Sequence, residues 1–398
     1  MSLAVSQRVQ RVKPSPTVAL TGRVAQLRAE GRDIIGLGAG EPDFDTPSHI
    51  AEAGIEAIRK GHTRYTPVEG TADLKDAIIA KFSRENGLTY KRSQILVSSG
   101  AKQTIFNLIM ALIDPGDEVV IPAPYWVSYP DMVLLADGTP VTVYAGPEQG
   151  YKITPAQLDA AITPKTRLFI LNSPSNPTGA AYSRAELRAL GDVLMRHPQV
   201  VICTDDIYEH IYWGDEPFST IAQVCPELYE RTVTVNGVSK AYAMTGWRIG
   251  YCGAPAEIAT AMATIQGQST SNASTIAQKA SAVALNADQA EVRAMVKHFR
   301  QRHDYIVAAL NGLPGVACQP MPGTFYAFAR VDAAMKLIGA HDDNSFAEYL
   351  LNHAGVAVVP GSGFGAPGHM RLSYACSMQT LEEAVRRIDK VLKAAQAA

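Results

Sequence analysis

Between positions 50 and 253 the hydrophobic residues change their spacing repeatedly. Apolar positions three and four apart predict helices over 50–60, 72–84 and 102–112, whereas short β-branched apolar runs at 95–98, 118–121, 140–144, 167–171, 200–204, 232–235 and 249–253 read as buried strands. Most of these runs are separated by helical stretches. Such alternation predicts the α/β class, with a mostly parallel large-domain sheet flanked by helices on both faces and ligand-binding groups at the carboxyl ends of the strands. After Ala254 the strand signal stops. Helices over 256–266 and 275–285 lead into a longer one over 290–310. The remainder, with strands near 324–331, 356–359 and 370–374 and helices over 345–353 and 381–394, reads as a smaller α+β unit. The first residues, proline-broken through Lys13-Pro14-Ser15-Pro16-Thr17, should run extended as an arm before a helix over 18–30. The expected division is a large domain over 46–295 and a small domain made of 1–45 and 296–398, bridged by the long helix.

Composition adjusts this picture only slightly. A chain of 398 residues suffices for two domains with a substantial core. Its 36 basic and 38 acidic side chains, with no long run of either sign, argue against a nucleic-acid or membrane surface. Residues 1–12 are polar and lack the apolar core of a signal peptide, and no window is apolar enough for a bilayer, so the expected location is cytoplasmic. Cys203, Cys225, Cys252, Cys318 and Cys376 have no paired spacing and suit neither a disulfide framework nor a zinc site. His298 and His303 do not share a helix face, so no metal site is expected from them. The stretches 36–40 and 361–365 are rich in glycine, but Pro42 and Pro367 follow closely where a phosphate-binding helix would have to begin. Both read as loops, the first one approaching a ligand closely.

The candidate chemistry lies where strands end. The run over 232–235 delivers Lys240 into a loop of small and apolar residues, Gly237-Val238-Ser239-Lys240-Ala241-Tyr242-Ala243-Met244, and Arg248 follows eight positions later. Apolar surroundings disfavour the charged form of a lysine and lower its pKa, which makes it a nucleophile suited to Schiff-base chemistry. A solvated loop lysine is the plain alternative. Ser99-Gly100-Ala101-Lys102-Gln103 puts small residues at a helix start, where free N–H groups suit a phosphate or merely a capped turn. Trp126 follows the rigid turn Pro122-Ala123-Pro124-Tyr125 and could wall a planar ring or fill the core. Asn176 precedes Pro177 and could aim an amide at a ligand oxygen or serve a turn alone. Asp205 could cap the next turn or pair with a protonated ring nitrogen, with Tyr208 one helical turn further on the same side. Cradle, aromatic wall, amide, carboxylate with phenol, lysine and arginine together match what pyridoxal phosphate requires.

With these residues in view, the sequence resembles the class I aminotransferases, and closely their bacterial aspartate aminotransferase branch, from about Arg8 to Val391. The block from Ser239-Lys240 to Arg248-Ile249-Gly250 fits the family's lysine signature throughout. The resemblance implies the fold type I architecture, pyridoxal 5'-phosphate as cofactor, a ping-pong exchange of an amino group between an amino acid and a 2-oxo acid, and a homodimer with shared active sites. It gives Lys240 the covalent aldimine and the proton shuttle, Asp205 the pyridine nitrogen, Tyr208 and Asn176 the ring oxygen, and Trp126 the stacking face. It gives the phosphate to the Ala101 and Lys102 N–H groups, with Gly100 and Ser239 beside them, to Arg248, and to Tyr65 from the neighbouring subunit. Arg371 matches the arginine that grips the α-carboxylate, where a planar fork binds bidentately. Gly40 matches the backbone that closes over the same group, and Trp126 and Asn176 border the substrate, so domain closure is expected. Lys102, with Lys13 and Thr17 from the arm, implies a pocket for a second carboxylate: aspartate or glutamate, and prephenate in close relatives. A pocket for aromatic or neutral side chains, with Lys102 in solvent, stays open, as does a lyase or decarboxylase using the same cofactor. A non-catalytic regulator on this fold would carry a DNA-binding domain, for which the residues before Lys13 are too few.

Overall fold

The structure is a computed structural model that describes residues 4–397; the outermost positions of the expected small domain, 1–3 and 398, lie outside the described residues. Thirteen strands are named in chain order: β1 Ile35–Gly36, β2 Ile95–Ser98, β3 Glu118–Ala123, β4 Thr139–Tyr144, β5 Thr166–Asn172, β6 Val201–Asp205, β7 Thr232–Gly237, β8 Gly250–Gly253, β9 Ala317–Cys318, β10 Tyr326–Arg330, β11 Val356–Ala357, β12 Val359–Pro360 and β13 His369–Ser373.

Seven of them form one sheet in the order β2-β8-β7-β6-β5-β3-β4. Pairing is parallel from β4 through β7, and β8 runs antiparallel to both of its neighbours. Successive side chains of a strand point to opposite faces, so each buried strand feeds two cores. Leu168 and Ile170 of β5 pack with Ile105, Leu108 and Met262 from the helices Ala101–Leu112 and Ala256–Ser269. Phe169 and Leu171 face the other way, onto Leu187, Leu190 and Leu194 of the helix Arg184–Met195. Burial on both faces is the physical reason these strands read as continuous apolar runs.

A second sheet, β12-β13-β10-β9, is antiparallel and packs on the helices Ala290–Asn311 and Met378–Ala397 through Phe299, Ile306, Leu381 and Ile388. β1 pairs in parallel with β11, Ile35 opposite Val356, and the Ser373 N–H donates to Leu37 O at 2.7 Å. These bonds tie the segment before residue 45 to the C-terminal sheet.

Local departures from the sequence reading have local causes. The arm contains one helical turn, Gln7–Gln10, capped by Ser6, where an extended course was expected. The strand expected from 324 begins at Tyr326, because Thr324 sits at φ 67° and turns the chain. The single strand expected over 356–359 is split into β11 and β12, which pair with different neighbours. The helix expected over 345–353 is Asp343–Tyr349 followed by a π-turn over Leu350–Ala354, ended by Gly355 at φ 65°.

Candidate active site

A cavity of about 360 Å³ opens at the carboxyl ends of β5, β6 and β7 and is closed on its far side by β10, β13 and the segment around Gly40. The last residue of β6 is Asp205, buried, with Oδ2 accepting a 2.6 Å bond from the Tyr129 hydroxyl and Oδ1 accepting from the Ile207 N–H at 3.4 Å. Burial pushes its carboxyl up to about 6, although both hydrogen bonds and the Lys240 charge pull it down. A carboxylate held there favours a cationic N–H partner in the cavity. Asn172 ends β5 directly opposite Asp205, gives its amide to Asp205 O at 2.7 Å, and accepts from the Asn176 N–H at 2.8 Å. Asn172 thereby holds the two loops in register.

Lys240 leaves the loop after β7 and reaches into the cavity, where Nζ donates to Gly40 O at 2.5 Å. Its pKa is lowered to about 8, first by desolvation and then by the charges of Arg248 and Arg371, with Glu41 and Asp205 opposing. The apolar neighbours visible in the sequence are thus joined by two arginines, which add to the effect.

Arg248 has a left-handed backbone, φ 56°, and donates to Thr245 O at 2.9 Å and Ser99 O at 3.4 Å. Its guanidinium lies over Gly100: a Cβ there would stand 2.2 Å from Nη2, and Gly100 itself has φ 89°. The helix Ala101–Leu112 begins at this point, and among the described residues the Ala101 and Lys102 N–H groups have no hydrogen-bond acceptor. A guanidinium, two orphaned N–H groups and the positive end of a helix make an anion cradle. Ser239 lines the cavity beside it.

On the opposite side, Arg371 of β13 is 2 % exposed and is paired with no carboxylate among the described residues. It donates to Asn176 Oδ1 at 2.9 Å and Gly38 O at 2.7 Å, leaves Nε without a partner, and lies 4.4 Å from the Tyr326 ring centroid. Burial lowers its pKa. A buried cation without a counter-ion calls for an anion.

Trp126 and Lys102 share a third wall, with Lys102 Nζ 4.9 Å from the indole centroid. Lys102 lines the cavity while staying exposed overall, and its pKa is lowered by desolvation and then by Arg248. Thr17 lines the same cavity. Lys13 does not: it borders an adjacent cavity of about 480 Å³ that shares Lys102 and Arg248. Tyr65 is 91 % exposed and stands outside both.

The site also draws on residues not singled out from sequence. Tyr129, buried behind Asp205, lies one turn after Trp126, a spacing that could have flagged it, and Asn172, which lines the cavity, opens the turn-rich run that contains Asn176. Tyr326 and Glu41 carried no such signal. Away from the cavity, Glu85, Glu209 and His210 converge, but the Lys81 ammonium pairs with both glutamates and already supplies a cation.

Residues 32–388 match the family model of aminotransferase class I and II. The chain belongs to that family. Among curated family members, it is 57% identical to the aspartate/prephenate aminotransferase of Nitrosomonas europaea over 98% of this chain and 100% of that one. It is 49% identical to an aspartate aminotransferase of Rhizobium meliloti over 96% and 95%. The aspartate aminotransferase structure from Rhizobium meliloti superposes with a TM-score of 0.94 at 47% identity, covering 98% of this chain and 99% of that one. That of Thermus thermophilus with maleate gives 0.92 at 43%, covering 98% and 100%. An aminotransferase of fold type I thus has its cavity between a mostly parallel sheet and a smaller antiparallel one.

Proposed function

We propose that the protein uses pyridoxal 5'-phosphate to exchange an amino group between aspartate or glutamate and a 2-oxo acid, with prephenate as a further acceptor. The observation that carries this reading is the convergence of Lys240 Nζ, the buried Asp205 carboxylate and the unpaired Arg371 guanidinium on one cavity. The residues present fit the cofactor: the orphaned N–H groups and Arg248 suit a phosphate, and a Cβ on Gly100 would fill the space that the guanidinium occupies.

When bound, pyridoxal phosphate supplies an electron sink for the bonds at the substrate's α-carbon. The chain's own residues would do the rest. Lys240 Nζ would hold the cofactor's aldehyde carbon and, when free, would take and return the proton at the substrate's α-carbon; a pKa near 8 lets the amine act as a base at neutral pH. Asp205 keeps a proton on the ring nitrogen. Tyr208 and Asn176 donate to the ring oxygen, and Trp126 covers one face of the ring. Gly100, Ala101, Lys102, Ser239 and Arg248 hold the phosphate. Arg371 grips the α-carboxylate, and the Gly40 backbone closes over it. Lys102, with Thr17 beside it and Lys13 at the adjacent cavity, takes the second carboxylate. Relatives named for aspartate and prephenate, and a neighbour crystallised with the dicarboxylate maleate, support that choice.

Residues 46–295 serve on this reading as the cofactor-holding domain, and 1–45 with 296–398 as the part that closes. A second copy would bring Tyr65 to the phosphate, which fits its exposure here. The five unpaired cysteines fit a reducing cytoplasm, and among the described residues no helix is long and apolar enough to cross a membrane.

The test is the visible spectrum of the holoenzyme, followed during addition of single amino acids. Aspartate and glutamate should convert the bound cofactor to its amine form, with transfer to a 2-oxo acid and no release of ammonia or carbon dioxide. Lys102→Ala should lower kcat/KM for aspartate by about tenfold or more, the scale of one lost charged contact. Turnover by Lys240→Ala would refute the assignment of the base, and ammonia release would move the protein to the lyases.

A further inference from the structure

The hydroxyl of Tyr208 has a second phenol beside it. Tyr326, at the start of β10, places its Oη 2.9 Å from Tyr208 Oη, with both side chains buried. Each phenol carries one proton, so only one of them donates across that gap. If Tyr208 were the donor, the Tyr326 proton would be left over. Among the described residues Tyr326 Oη has no other hydrogen-bond partner; a Cβ on Gly40 would stand 2.9 Å from it, and the Arg371 guanidinium lies 4.4 Å from its ring centroid. Both phenols border the cavity, but a proton left on Tyr326 Oη is repelled by the guanidinium beside it, whereas its lone pairs are attracted. If Tyr326 is the donor, the proton of Tyr208 is free for the cavity, and nothing is stranded once a ligand oxygen is there to accept it.

The charges act in the same sense. Burial raises both phenols and Arg371 lowers both, but the guanidinium lies over the Tyr326 ring and is the first influence to oppose burial there, whereas for Tyr208 it comes behind burial and Tyr326. The stronger acid of a hydrogen-bonded pair is its donor. Arg371, Tyr208 and Glu41 face Tyr326; Tyr326, Arg371 and Asp205 face Tyr208, with Lys240 Nζ 5.9 Å from its ring centroid. β10 and β13 fix the arrangement, since Tyr326 pairs with Ser373 and Arg371 is two residues along the same strand.

We propose that Tyr326 is a positioning residue that donates its hydrogen bond to Tyr208 Oη and thereby fixes the Tyr208 proton toward the ring oxygen of bound pyridoxal phosphate. The inference rests on the cofactor reading given above. Hydrogen bonds in series polarise one another, so the bond from Tyr326 strengthens the one that Tyr208 makes.

The experiment is a pH titration of the visible absorption of holoenzyme reconstituted with pyridoxal phosphate. It compares wild type, Tyr326→Phe, Tyr208→Phe and the double variant, with circular dichroism to verify folding. Donation from Tyr208 stabilises negative charge on the ring oxygen, so losing it raises the titration midpoint. Tyr326→Phe should raise the midpoint by about half a unit, Tyr208→Phe should raise it further, and the double variant should match Tyr208→Phe. An unshifted Tyr326→Phe beside a shifted Tyr208→Phe overturns the proposal and leaves the cofactor reading intact. So does a Tyr326→Phe shift that persists in the Tyr208→Phe background, because Tyr326 would then act by another route. An unshifted Tyr208→Phe removes the contact between Tyr208 and the cofactor, and the proposal falls with it.

Discussion

Lys240 carries the cost of a confined cation. With its pKa brought from 10.5 to about 8, native protein and unfolded chain are both protonated below pH 8, and the native state bears the full penalty of a confined cation. Between pH 8 and 10.5 the native lysine loses its proton first, the unfolded chain binds more protons, and stability rises with pH. The window amounts to about 3 kcal/mol at most. Cofactor-free Lys240→Met should therefore be more stable than cofactor-free wild type at pH 7, less whatever the bond to Gly40 O contributes, and the gap should narrow by pH 10. Urea unfolding at both pH values measures it, and a gap that does not change with pH would show that Lys240 is not strained. At this scale much of the site was legible. Lys240, Asp205 and Asn176 stand just after apolar runs, where a charge or an amide is out of place unless something uses it. Tyr129 and Tyr326 were not, because a phenol in an apolar stretch has the same pattern as core filler, and only the structure shows what its oxygen touches.

The turn after β6 is held from behind. Lys81, fully buried in the helix Ala72–Asn86, pairs with Glu209, whose carboxylate also accepts from Asn86 at 2.8 Å and Asn236 at 2.9 Å. Glu209 follows Tyr208 directly, so this cluster anchors the segment that carries Asp205 and Tyr208. Burial raises the Glu209 carboxyl, yet Lys81 and the other partners more than reverse that and keep it ionised. Lys81→Met removes the buried ammonium that pairs with both glutamates, leaving His210 as their shared neighbour, and should cost about 3–5 kcal/mol in chemical denaturation. Adding Glu209→Gln should recover part of the loss. If Lys81→Met were within 1 kcal/mol of wild type, roughly the scale of a surface pair, the cluster would not be anchoring this turn. The large elements were readable because their strands are buried on both faces and their helices on one. The direction of β8 was not, since an apolar run reads the same both ways. β9, β11 and β12 are two residues each and fall below any periodicity. Where β8 meets the anion cradle the packing is equally hidden in the sequence: a Cβ on Gly250 would stand 2.1 Å from Ala101 N, so glycine alone lets strand and helix start meet.

At the scale of the whole molecule, Tyr65 stands apart from the cavity. Tyr65 projects into solvent from a loop held by the Thr275 hydroxyl, which donates to Arg64 O at 2.9 Å. The neighbouring helices Ser48–Arg59 and Thr275–Asn286 leave Ile55, Ile58 and Val283 exposed. On the proposed reading, a twofold dimer that covers these helices would carry each Tyr65 toward the other copy's anion cradle. Complementation distinguishes a shared site from a self-contained one. In a mixed dimer of Lys240→Ala and Tyr65→Ala, one site combines both defects, and the other has the intact lysine of one copy and the intact tyrosine of its partner. Random reassortment of equal amounts puts half the molecules in mixed dimers, so roughly a quarter of all sites should become whole. Activity and tight cofactor retention should rise toward that fraction after the two variants are unfolded and refolded together, well above the sum of the separate preparations. If each Tyr65 served its own copy, no mixing could place it beside an intact Lys240. Activity would then stay at that sum whatever the ratio.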